Sequence, residues 1–92
     1  MTDTVASFSA LVMSLATTAA VHFGDVPEPG STEKAAPNLA GAAQMIEILG
    51  VLQDKTRGNL TPDEQQLLEH VLFELRMRFV QVQRAHKIII EP

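Results

Sequence analysis

The sequence contains no cysteine, no tryptophan and no tyrosine. Without cysteine there is no disulfide framework, no thiolate metal site and no thiol nucleophile, so the usual covalent staples of a small domain are excluded. Four phenylalanines are the whole aromatic content, too few to build stacking platforms for single-stranded nucleic acid. Positive charge is scarce as well. Seven Lys and Arg stand against eleven Asp and Glu, for a net charge of −4 and a pI near 5.2. That balance disfavours a general binder of nucleic acid or of anionic membranes. Neither a glycine-rich phosphate loop nor a Ser–His–Asp or Cys/His metal pattern occurs, so the common catalytic signatures are missing.

What is present is enough for one small domain, residues 1–92. A monomer of this size buries only about two-thirds of its unfolded surface and is marginally stable without help. Oligomerisation is the source of help that this composition leaves open. One uncharged run, Thr4 to Val21, reaches the lower edge of membrane-span length. Ser7, Ser9, Ser14, Thr17 and Thr18 dilute it, and the only early charge is Asp3, opposite in sign to a signal-peptide start. The run therefore reads as a core helix rather than a span or a leader.

The most specific stretch is 55–64, Lys-Thr-Arg-Gly-Asn-Leu-Thr-Pro-Asp-Glu. Lys55 and Arg57 suit the negative end of a helix. Gly58 can take the left-handed conformation that closes one, and Asn59 tolerates it. Thr61 reads as an N-cap with Pro62 at the first helical position, and Thr61 with Glu64 forms a capping box. So short a corner makes the flanking helices antiparallel neighbours. The competing reading is an anion site at a helix start. A single glycine and the repelling Asp63 and Glu64 favour a structural αα-corner instead.

Elsewhere the pattern is helical, with one break. Residues 4–23 predict a first helix whose core face is Phe8, Leu11, Val12, Leu15, Ala19, His22 and Phe23. Its back carries Ala6, Ala10, Met13, Ala20 and Val21, leaving a thin stripe of Ser7, Ser14 and Thr18. A helix apolar nearly all round is expected to be covered nearly all round, which points to oligomerisation. Three prolines and a glycine make 25–37 a loop. Asn38 caps a second helix over 39–56, where Ala43 and Gly50 are expected to admit a closely packed backbone. The third helix, 62–86, carries two apolar stripes. One is Leu67, Leu68, Val71, Leu72, Leu75, Phe79 and Val82, and the other is Phe73, Met77 and Val80 on the opposite side. Two stripes imply two partners: the bundle's own core and a second copy of the chain. Glu74 and Arg78 are spaced to pair at i, i+4. The Ile88–Ile90 run in the tail 87–92 suits a strand better than a helix end and is expected to pack on the bundle or on a neighbouring subunit, a frayed end being the alternative.

Residues 8–84 resemble DUF1844, a family of small bacterial helical proteins catalogued as a domain of unknown function. The resemblance is carried by Phe8 to Ala16, Asn38 to Ala40, Ile46 to Leu49, the Lys55–Thr61 run above all, and Leu68 to Arg78. It departs at Glu47, where the family more often has Asp, and at Val21, His22 and Phe23, where aliphatic residues are more usual. The resemblance implies an all-helical, bacterial, cytoplasmic protein. It implies no activity and supplies no catalytic or binding residues.

Three clusters carry residue types capable of chemistry. His22, Asp25 and Glu28 could meet zinc, but a histidine in the last turn of a helix serves the dipole more often. His70 and Glu74 at i, i+4 could be an acid–base pair, but without a nucleophile or cofactor pattern a surface pair is the commoner meaning. Arg76, Arg78, Arg84 and Lys87 could face a nucleic-acid backbone, but Glu69 and Glu74 interleave with them. The sequence thus predicts an all-α three-helix bundle, with an antiparallel hairpin of its second and third helices, completed by oligomerisation. The expected role is a non-enzymatic, self-associating interaction module without cofactor or metal. Its expected interface is Phe73, Met77 and Val80, a dimer is favoured, and a further unidentified protein partner is allowed for. The alternative is a small ligand- or metal-binding protein or enzyme using His22, His70 or His86.

Overall fold

Three side-chain caps divide the chain into three helices: α1 (Phe8–Phe23), α2 (Leu39–Lys55) and α3 (Pro62–Ile90). The computed structural model describes residues 7–34 and 36–90, with side chains through Ala85. Ser7 has extended backbone, and its hydroxyl accepts from the Ala10 N–H at 3.0 Å. Asn38 Oδ1 accepts from the Gly41 N–H at 3.0 Å. At α3 the box is reciprocal. Thr61 Oγ1 accepts from the Glu64 N–H at 3.2 Å, and the Thr61 N–H donates to Glu64 Oε1 at 2.9 Å. Each cap satisfies donors that the helix itself cannot.

Two boundaries differ from those expected. The sequence pattern starts the first helix at residue 4 and puts Ser7 in its polar stripe. Ser7 instead stands outside as the cap, because its short side chain competes well for backbone donors there; the expected start at 4–6 lies outside the described residues. The sequence pattern ends the third helix at 86 before a strand-like tail, yet α3 remains helical to Ile90. β-Branched residues lower helix propensity only slightly, and an established helix propagates without a new nucleus. The expected packing of the Ile88–Ile90 side chains lies outside the described residues, as do 91 and 92.

Helix ends follow glycine. Gly24 (φ 82°) ends α1, with its N–H donating to Val21 O and that of Asp25 to Ala20 O, both at 2.9 Å. This is the bonding of a Schellman motif. After α2, Gly58 (φ 85°) turns the corner, while no residue other than glycine, Asn59 included, takes a positive φ among those described. The end of α2, at Gln53 and Thr56, faces the start of α3 at Leu68 and Glu69, whereas its beginning, at Ala43 and Ile46, faces Phe79 and Val80. The hairpin of α2 and α3 is therefore antiparallel.

All three helices pack against one another, and no strand occurs among the described residues. Val12, Ala19 and Phe23 of α1 meet Ala42 and Leu49 of α2 and the Leu68–Leu72–Leu75–Val82 face of α3. The Cα radius of gyration is 14.9 Å, against about 12 Å for a compact chain of this length. The excess reflects α3, which at 1.5 Å per residue spans roughly 43 Å and outruns its partners.

Cover on α1 is one-sided. Leu11, assigned to the core face, is 44% exposed, and Ala10 and Met13 are exposed with it. Two neighbouring helices shield only the Val12–Ala19–Phe23 side. Thr17 and Thr18 donate to the Met13 and Ser14 carbonyls at 2.9 and 3.1 Å, which lowers the polarity of the uncovered face. Gly50 also departs from expectation: a Cβ there would meet nothing within 4 Å, so no backbone approaches it. The close approach is at Gly41, where a Cβ would lie 2.6 Å from His22 Nδ1 and 2.9 Å from Asn38 Nδ2. Among the described residues no helix is long and apolar enough to cross a membrane.

Candidate functional site

Helical periodicity gives α3 two opposed faces. Leu68, Leu72, Leu75 and Val82 turn inward and are buried. Phe73, Met77 and Val80, spaced i, i+4, i+7, turn outward and are 59%, 49% and 41% exposed. The expected interface residues thus share one uncovered stripe. Arg76, Gln81 and Arg84 border it and complete a shallow depression. Beside it runs a groove of about 320 Å³ between α2 and α3, lined by Ala43, Ile46, Glu47, Arg76, Phe79 and Val80. Across Glu47 the apolar surface continues along α2 to Ile48 and Val51.

An ion pair ties α3 to the turn after α1. Arg78 Nε donates to Asp25 Oδ2 at 2.9 Å, and Nη2 to Asp25 Oδ1 at 2.5 Å. The planar fork fixes orientation as well as distance. Hydrogen bonding from Arg78 holds the Asp25 carboxyl below its ordinary range, against a smaller opposing effect of burial. The same bond raises Arg78. Arg78 was expected to pair with Glu74 on its own helix. It turns instead to the residue after Gly24 and also donates to Gln81 Oε1 at 3.3 Å. Asp25 offers a bidentate, partly buried partner, which outweighs an exposed i, i+4 pair. The two residues are 53 positions apart, and no local pattern links them.

The other singled-out residues fall apart as a site. His22 is half-buried over Gly41, and its carbonyl accepts from the Asn38 N–H at 2.6 Å. It therefore joins the end of α1 to the start of α2. Asp25 is committed to Arg78, and Glu28 is exposed. Among the described residues no three His, Asp or Glu side chains converge as a metal set. His70 and Glu74 are both exposed, with no bond between them among the described residues. The side chain of His86 lies outside the described residues.

The turn residues Gly58, Asn59, Thr61, Pro62 and Glu64 are spent on the corner. The Asn59 N–H donates to Thr56 O at 2.8 Å, and Thr56 Oγ1 donates to Leu52 O at 2.6 Å. The cavity of about 210 Å³ behind the corner includes Arg57 and Glu69. Arg57 is already paired with Asp54 at 2.7 Å, so the corner offers no free cation cluster to an anion.

A family model described as "Domain of unknown function (DUF1844)" matches residues 5–81. That span takes in α1, α2, the corner and the exposed stripe of α3. No curated protein and no solved structure matches the chain at a significant level. With most of its length matched, and with the corner and the helices that carried the resemblance in place, the chain belongs to the DUF1844 family.

Proposed function

We propose that the protein is a non-enzymatic interaction module of the bacterial cytoplasm that works by self-association, with a dimer as the basic unit. The observation that carries the reading is the Phe73–Met77–Val80 stripe, three large apolar side chains exposed side by side opposite the core. Contiguous apolar surface of this kind marks interaction sites on small proteins. Leu11 and Met13 on α1 and Val51 on α2 are further uncovered apolar residues; they leave room for an additional protein partner. Light scattering at micromolar concentration tests the reading. The expected result is a dimer that Phe73→Glu converts to monomer with its helical circular dichroism intact. A monomeric wild-type protein, unchanged by Phe73→Glu, would sink the proposal.

A further inference from the structure

The outward face of α3 carries charge as well as apolar surface, and the order of the charges selects a geometry. Gln66, His70, Phe73, Met77, Val80 and Arg84 follow alternating steps of four and three residues, the spacing of a coiled-coil seam. Glu74 and Gln81 flank the seam on one side, and Glu69, Arg76 and Gln83 flank it on the other. All of these side chains are exposed, so among the described residues a second helix meets no obstacle.

We infer that the partner seated on this face is a second copy of the chain, its α3 running antiparallel, with Met77 of each copy against Val80 of the other. In this register Arg84 of one copy lies over the Phe73 ring and beside the Glu74 carboxylate of the other. It thereby gains a cation–π contact and an opposite charge at once. The flanking positions then pair Arg76 with the Gln81–Gln83 segment and Glu74 with Gln81, without like charges. Sliding the antiparallel pair by one layer so that Met77 meets Phe73 sets Arg76 against Arg76 and Glu74 against Glu74, and sliding it the other way moves Arg84 to Val80, off both Phe73 and Glu74. A parallel pair sets Arg84 against Arg84 and Glu69 against Glu74. Like charges brought together in these ways weigh against both alternatives. The inference rests on the self-association proposed above and adds its direction and register.

The test uses the full chain with Gln66→Cys, the only cysteine in that variant, carrying a nitroxide label. The antiparallel register offsets the two labels by about 40 Å, given 1.5 Å per residue and helices about 10 Å apart. A parallel pair brings them to roughly 10–20 Å. Arg84→Glu and Glu74→Arg should each weaken dimerisation at least about fivefold, and the double charge swap should restore most of it. A monomer in light scattering overturns the self-association itself. A dimer with a short label distance, or one indifferent to both charge reversals, overturns the antiparallel register while leaving self-association in place.

Discussion

Along α3, two stripes of similar apolar character meet opposite fates. Leu68, Leu72 and Leu75 are enclosed by α1 and α2, while Phe73, Met77 and Val80 face away from both. Leu72 and Phe73 are adjacent in the chain, and periodicity alone makes each the centre of a plausible core face. Burial is a property of what docks, so hydrophobicity marks both stripes and the difference between them lies in their width. The inward stripe is wider and aliphatic, so it offers a broader area for two helices. The outward stripe is narrower, as a seam for a single helix would be.

Truncating one residue on each side of α3 separates the two stripes by the largest margin. Leu72→Ala removes a fully buried side chain and should cost about 2–5 kcal/mol in urea unfolding. Phe73→Ala, measured at submicromolar concentration where association is weak, should cost less than about 0.5 kcal/mol. At high concentration the Phe73 variant should fall further behind wild type, because association stabilises the folded state by mass action. Equal costs at low concentration would contradict the division into core and outer faces.

A similar contrast separates the two α2 glycines, and alanine scanning sharpens it. Gly41→Ala places a Cβ against the His22 ring and should destabilise by about 1–2 kcal/mol, a loss partly relieved in combination with His22→Ala. Gly50→Ala meets open space and should stabilise by roughly 0.5–1 kcal/mol, the intrinsic helix preference. Thermal melts of the two variants should move in opposite directions.

Smaller effects are expected where α3 is oriented rather than packed. Thr61→Ala breaks the capping box and should cost about 1 kcal/mol by chemical denaturation, mostly through fraying of the first turn. Asp25→Asn should cost less, about 0.5–1 kcal/mol at pH 7. The side chains of Arg78 and Asp25 are 42% and 33% exposed, so solvent screens the pair. Asp25 has its folded pKa lowered by Arg78. Its contribution is therefore complete above the unfolded value, near 3.9, and fades as pH falls through the lower folded one. The gap between wild type and Asp25→Asn should accordingly close in urea titrations repeated in the acid range. A gap that widened with acid would mean that Asp25 is not charged in the pair.

Much of the architecture was readable without the structure, because its causes are local. The Asn38 cap, the Thr61–Glu64 box and the glycine ends act within about four residues, the reach of one helical turn. The α3 stripe was readable for the same reason. The misplaced details have long-range causes. Arg78 chose Asp25 over Glu74 because the fold brought a better acceptor to it. The glycine under steric pressure proved to be Gly41 rather than Gly50, because the His22 ring arrives from another helix. Leu11 fits the periodicity of a core face yet stays exposed, since one chain has too few helices to surround α1.

From the sequence alone followed three helices, the caps of the second and third, the antiparallel corner and two apolar stripes on the last helix, all consequences of spacing and backbone chemistry. Only tertiary structure decided which glycine is under steric pressure, which acid holds Arg78 and how much of α1 stays exposed. Those outcomes depend on how helices far apart in the chain are rotated against one another, and periodicity within a single helix carries no information about that angle.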